Sequence, residues 1–209
     1  MFPLGSVLFP HMPLHLRVFE PRYAVMLAEL MKSGSSEFGV VLIERGQEVG
    51  GGEHRFGVGT VAEITDLQAQ GGMLALAARG ARRITVQEWF ADEPYPRADV
   101  ADLPPLEWRS ELEEMLLRAE QLVRRTLAVA SEFEQGRWPP DIALDDDPLT
   151  CTWQLAGVAP LSALDQIALL HAGSVEQLLA DVIEQTTLAA EAMTAVWPDQ
   201  GPPSEWRGR

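Results

Sequence analysis

Lysine is almost missing from this sequence: Lys32 is its single example, and Cys151 is its single cysteine. One cysteine excludes an intrachain disulfide and fits a reducing compartment. One lysine confines any mechanism that needs an amine base or a Schiff base to one position. Lys32 stands at the end of a helical stretch, beside Ser33-Gly34-Ser35-Ser36, where water keeps an ammonium protonated and a poor base. A phosphate-cradling loop ending in Gly-Lys-Ser/Thr is absent, because no glycine precedes Lys32-Ser33 at the required place. That excludes ATP hydrolysis by this route. No Gly-x-Ser-x-Gly elbow marks a serine nucleophile. No apolar run approaches the roughly 18 residues of a membrane span, and no basic leader opens the chain, so a soluble, cytoplasmic protein is expected.

Positive charge is scarce as well. Against 31 Asp+Glu stand 16 Lys+Arg, for a net charge of −15 and a pI near 4.6. Residues 1–104 carry 9 Lys+Arg and 13 Asp+Glu, whereas residues 105–209 carry 7 and 18. The second half therefore holds most of the excess acid. Binding a polyanion depends on cations displacing its counterions, so nucleic acid is excluded as a partner, and an anionic membrane surface is disfavoured for the same reason.

The residues that remain for chemistry read as structural. His11 and His15 are four apart, but Pro10 and Pro13 make the segment extended, which separates the rings by roughly 13 Å. No cysteine or carboxylate cluster supports them, so no metal is expected. Asp145-Asp146-Asp147 lacks the spaced oxygens and the glycine of a calcium loop and reads as a solvated turn. Cys151, among Thr150, Thr152 and Trp153, reads as a buried thiol. Gly57-Val58-Gly59 echoes a dinucleotide fingerprint but lies within a strand, with no helix after it. No catalytic residue and no cofactor is assigned.

What the sequence does contain is a change of period. Up to Leu103-Pro104-Pro105 the apolar residues mostly alternate, as in strands. Met12, Leu14, Leu16 and Val18 share one face. Phe38–Ile43, Phe56–Leu67, Met73–Arg79, Arg82–Phe90 and an edge piece within Pro94–Leu103 follow, with Gly80 as a bulge. Gly57 and Gly59 on one face point to close approach by another backbone. One helix interrupts, opened by Glu20-Pro21-Arg22-Tyr23 and striped by Tyr23, Met26, Leu27, Leu30 and Met31. Beyond Pro105 the period is helical. Leu112 to Phe133 predicts a helix of about 25–30 residues, on the order of 40 Å long. Shorter helices follow at Leu149–Ala156, at Leu164–His171 after the capping box Ser162–Asp165, and at Val175–Ala195 after Ser174–Gln177. The fold class is α+β: a closed or half-closed β subdomain over residues 1–104, a helical subdomain over 105–195 and a disordered tail over 196–209.

The opening string Phe2-Pro3-Leu4, Val7-Leu8-Phe9-Pro10, Pro13-Leu14 and Phe19-Glu20-Pro21-Arg22-Tyr23 resembles the start of the Lon protease N-terminal domain family. His11 stands where that family usually has glycine. Phe56–Ile64, Ala78–Ile84 and Ala159-Pro160-Leu161-Ser162 resemble later segments in the right order, over roughly residues 1–195. The resemblance implies a PUA-like β-barrel followed by a helical bundle. It also implies recognition of unfolded or degron-bearing polypeptides by a stand-alone module, one without ATPase or peptidase activity.

Capturing unfolded chains needs exposed apolar surface, and methionine and aromatic side chains adapt best to varied partners. Met12, Phe19, Trp89, Phe90 and Trp108 are the candidate contacts, with the crevice between the two subdomains as the groove. A protease or chaperone companion and a homodimer are further partners to consider. An adaptor for one folded protein and a small-molecule enzyme are the rival readings.

Overall fold

Strand pairing explains the alternation in the first hundred residues. In the computed structural model, which describes residues 1–46, 52, 54–132 and 138–196, six strands form one mixed sheet: β1 (Phe2–Leu4), β2 (Pro13–Val18), β3 (Glu37–Arg45), β4 (His54–Gln70), β5 (Met73–Trp89) and β6 (Ala98–Asp102). The order is β1-β3-β4-β5-β2, and β6 also pairs with β5. β1 runs parallel to β3 and the other pairs are antiparallel. One side of β5 is shared, its first half by β2 and its second half by β6.

The two stretches expected on either side of Gly80 are thus one strand, β5. The bend predicted there is a register shift: Thr60 faces Arg83 and Ala62 faces Gly80, so β5 holds one extra residue. A Cβ on Gly80 would lie 2.0 Å from the Phe9 carbonyl oxygen, so only glycine lets the β1–β2 connection pass so close. Gly59 meets the Val40 backbone in the same way, whereas Gly57 faces open space.

α1 (Pro21–Ser33) starts with proline in its first turn and ends on Gly34, whose left-handed φ of 71° lets the Gly34 and Ser35 amides close onto Met31 and Leu30 carbonyls. It buries Tyr23, Met26 and Leu27, and Tyr23 stacks on Phe2 with centroids 3.9 Å apart. Met31, predicted to belong to the stripe, is instead 62% exposed at the helix end.

A short 3-10 turn (Ser110–Leu112) leads into α2 (Glu113–Glu132), followed by α3 (Pro148–Val158), α4 (Ala163–Leu169) and α5 (Val175–Val196). α2 spans 20 residues. The expected continuation through Phe133 lies outside the described residues, as do residues 47–51 of the predicted glycine-rich turn and 197–209 of the predicted tail. α2 buries Leu116, Ala119, Val123, Leu127 and Ala130 chiefly against α5. α3 is buried on most sides, Thr150 and Thr152 included, and packs against α2, α4 and α5. Both predicted serine caps form, since the Asp165 and Gln177 amides donate to the Ser162 and Ser174 hydroxyls, while the Gln177 side chain accepts from the Gly173 amide instead of completing a reciprocal box. One hydrophobic cluster runs from Phe2 through Trp153 to Val182, so sheet and helices share a core.

Candidate functional site

The connection between β1 and β2 builds the first wall of a cleft. Leu8, Phe9 and Met12 in it are buried, and the Leu8 carbonyl accepts from the buried Thr60 hydroxyl at 2.6 Å. Phe9-Pro10-His11-Met12 makes a tight turn closed by the Met12 amide on the Phe9 carbonyl, 3.2 Å. Proline second and a positive φ third is the type II pattern, which favours glycine third. His11 fills that place at φ 64°, the only positive-φ residue other than glycine among the described residues. This accounts physically for the glycine that the resemblance leads one to expect.

Because a side chain at positive φ costs about 1–2 kcal/mol while glycine adds unfolded-state entropy, His11→Gly is expected to gain about 0.5–1 kcal/mol. Urea unfolding checks this. The His11 pKa is held below its ordinary 6.5 by burial, then by Arg79. The unfolded chain thus binds the proton more readily, and stability rises with pH as the solution passes from the folded-state pKa up to 6.5. In the glycine variant that part of the slope should vanish.

The second wall comes from α3 and the turn after it. A Cβ on Gly157 would lie 2.7 Å from Met12 Cγ, so the end of α3 and the β1–β2 connection interlock. Trp153 lies between Phe9, at 6.3 Å between ring centroids, and the Arg83 guanidinium, 5.1 Å from its ring. Arg83 on β5 is 6% exposed. It donates to the carbonyls of Leu170 and Ala172, both at 2.7 Å, and of Pro104 at 2.8 Å. Leu170 and Ala172 follow the last turn of α4, whose free carbonyls attract a cation.

Between these walls opens a cleft of about 390 Å³. Its sheet side carries Leu4, Val7, Leu8, Phe9, Met12, Pro13 and Leu14. Its helical side carries Leu127, Trp138, Val158, Pro160, Leu161 and Met193, and its polar side chains are Ser6, Ser162 and Gln166. Ser162 is occupied in capping α4, its hydroxyl 2.6 Å from Asp165 Oδ2. Leu164, in the first turn of α4, is 65% exposed. The lining offers apolar burial and a few hydrogen bonds.

The five residues singled out from the sequence do not form one surface. Met12 lines the cleft but is 6% exposed, because Gly157 lets α3 pack directly onto it; it is a wall of the groove and not an exposed contact. Phe19 is 59% exposed just beyond β2. Trp89 is half-buried under the Arg55 guanidinium, 4.7 Å from its ring, at the far end of β5. Phe90 borders a separate groove with Met26 and Tyr95. Trp108 borders another with Leu117 and Cys151. Val7, Trp138, Leu161 and Met193 were missed. Pro10, Pro139-Pro140 and Pro160 were the signal for the first three, since each marks a segment that leaves its element and passes the junction, whereas Met193 lies inside α5 without such a marker.

The acidic run is spent on structure. The Thr150 amide and hydroxyl donate to Asp147 at 2.9 and 2.7 Å, capping α3 and holding that carboxyl below the ordinary range. Among the described residues no group of three or more His, Cys, Asp or Glu is placed to hold a metal, and no helix is long and apolar enough to cross a membrane. Burial pushes the Cys151 thiol up to about 11. Iodoacetamide near pH 7.5 should therefore leave it unlabelled until urea unfolds the chain, as intact-mass measurements along the unfolding curve would record.

Residues 1–187 match the family model described as the ATP-dependent protease La (LON) substrate-binding domain. Among solved structures, the Lon N-terminal domain protein from Xanthomonas campestris is 29% identical, with a TM-score of 0.60 over 86% of this chain and 95% of its own. The N-terminal domain of a Mycobacterium avium complex Lon protease is 20% identical, with a TM-score of 0.56 over 88% of this chain and 96% of its own. A comparison with curated proteins finds no match.

Proposed function

Since this chain belongs to the family of Lon substrate-binding domains, we propose that it captures polypeptide segments lacking a fixed fold, seating their apolar side chains in the cleft between sheet and helices. It does so without hydrolysing ATP or peptide bonds. The observation that carries this reading is the cleft itself: a groove of about 390 Å³ walled by aliphatic, aromatic and methionine side chains. Hydrophobic burial is non-directional and so tolerates many client sequences, and the unbranched, half-buried side chain of Met193 adjusts to differing shapes. The absence of a phosphate loop from the sequence and the position of Lys32 at the end of α1 support the non-enzymatic part. The net charge of −15 favours neutral or basic clients over polyanions.

A panel of unrelated proteins, each offered native and in a permanently unfolded form, tests the proposal by fluorescence anisotropy. Binding of several unfolded members and of none of the native ones is expected, with casein left intact on long incubation. Binding to a single native partner would favour an adaptor, and casein fragments from a protease-free sample would make the protein an enzyme.

A further inference from the structure

Resting on the polypeptide-binding reading, we infer that the captured segment binds as an added strand along the outer edge of β2. The sheet path ends at β2, and among the described strands and helices only β5 packs extensively against it. The hydrogen-bond phase identifies which backbone groups are open. The Gly80 amide donates to the Met12 carbonyl at 2.9 Å, and the register continues Leu14↔Ala78, Leu16↔Leu76 and Val18↔Leu74. In an antiparallel pair the bonding side alternates with every residue. Leu14, Leu16 and Val18 therefore point their backbone groups at β5, and His15 and Arg17 point theirs away from the sheet.

That free edge begins at the cleft, since Met12, Pro13 and Leu14 line it. Pro13 lacks an amide, so the ladder opens with His15. A strand laid there places every second side chain on the face of Leu14 and Leu16, both half-buried, in line with the cleft. Its other side chains fall beside His15 and Arg17, which are exposed and make no ion pair among the described residues. The occupant is accordingly an extended segment alternating apolar with acidic or neutral polar residues. Backbone bonds supply sequence-tolerant affinity and the cleft selects the apolar face. The Arg17 guanidinium makes this edge acceptable to acidic residues on a molecule that is acidic as a whole.

The probes are a ten-residue peptide alternating leucine and glutamate, the same peptide N-methylated on the backbone amides of one face, and an unfolded, labelled protein. Arg17→Pro removes an outward amide without taking a bond from β5, and Arg17→Ala keeps the amide and removes the charge. Arg17→Pro should weaken the peptide at least tenfold and Arg17→Ala by two- to threefold. The N-methylated peptide should bind at least tenfold more weakly to the wild-type protein. Hydrogen exchange on the wild-type protein, which does not depend on any variant folding, should show the His15 and Arg17 amides becoming protected when peptide is added. If the unfolded protein and the peptide bind but neither amide gains protection, strand addition is wrong and the cleft reading stands. If neither probe binds the wild-type protein, both readings fall. Protection of the same amides by concentrating the protein alone would assign the edge to a second copy instead.

Discussion

Replacing Arg83 by alanine is expected to remove about 3–5 kcal/mol of stability, because three carbonyls lose their donor and each acceptor left buried and unsatisfied costs about 1–3 kcal/mol. From β5 the guanidinium donates to the Leu170, Ala172 and Pro104 carbonyls. It also covers the face of Trp153. One side chain thus fastens the sheet, the linker after β6, the end of α4 and the centre of α3. Truncation leaves these acceptors without their donor and opens a void beside an indole. Domains of this size are stable by only about 5–15 kcal/mol, so the loss is a large fraction of the total. Arg83→Lys keeps the charge but cannot present the planar fork, and an intermediate cost of about 1–3 kcal/mol follows. Urea midpoints of the three proteins measure this; an alanine variant within 1 kcal/mol of wild type, a threshold set by the ordinary worth of one hydrogen bond (about 1 kcal/mol), would contradict the role.

The second large effect concerns binding. The double variant Val7→Glu and Leu161→Glu sets a carboxylate on each wall of the cleft, at positions that are only partly buried. Each lost apolar contact is worth about 1.5–3 kcal/mol to a client side chain, so affinity for an unfolded polypeptide should fall at least tenfold, toward a hundredfold. Stability should change far less than for Arg83→Ala. Leu188→Glu, at an exposed position of α5 (52% exposed), alters charge without touching the cleft and should bind as wild type. Fluorescence anisotropy with one unfolded probe compares all three. Equal losses in both variants would mean that net charge, and not the cleft, governs capture.

Periodicity carried much of the architecture. The alternation of Leu14, Leu16 and Val18 placed β2, the stripe of Leu116, Ala119, Val123 and Leu127 placed α2, and Ser162 and Ser174 placed the starts of α4 and α5. The opening string from Phe2 to Tyr23 pointed to the family that the comparisons then showed. The site was less legible, because exposure depends on what another element covers. Nothing in the alternation of Met12 with Leu14 reveals that Gly157, 145 positions later, lets a helix close over the methionine. Trp89 and Trp108 look alike in sequence, yet the first lies under a guanidinium and the second in a groove beside α2. The left-handed turn at His11 was hidden because histidine there disguises a position whose geometry suits glycine.

The most direct test is to place a photoreactive residue at position 161, on the cleft wall, and in a second protein at position 117, beside Trp108 on α2, and to irradiate each with the same unfolded polypeptide. The account predicts a crosslinked adduct from position 161, lost on competition with excess unlabelled client, and little or none from 117. Adducts from 117 alone, or equal and uncompeted labelling at both, would contradict it.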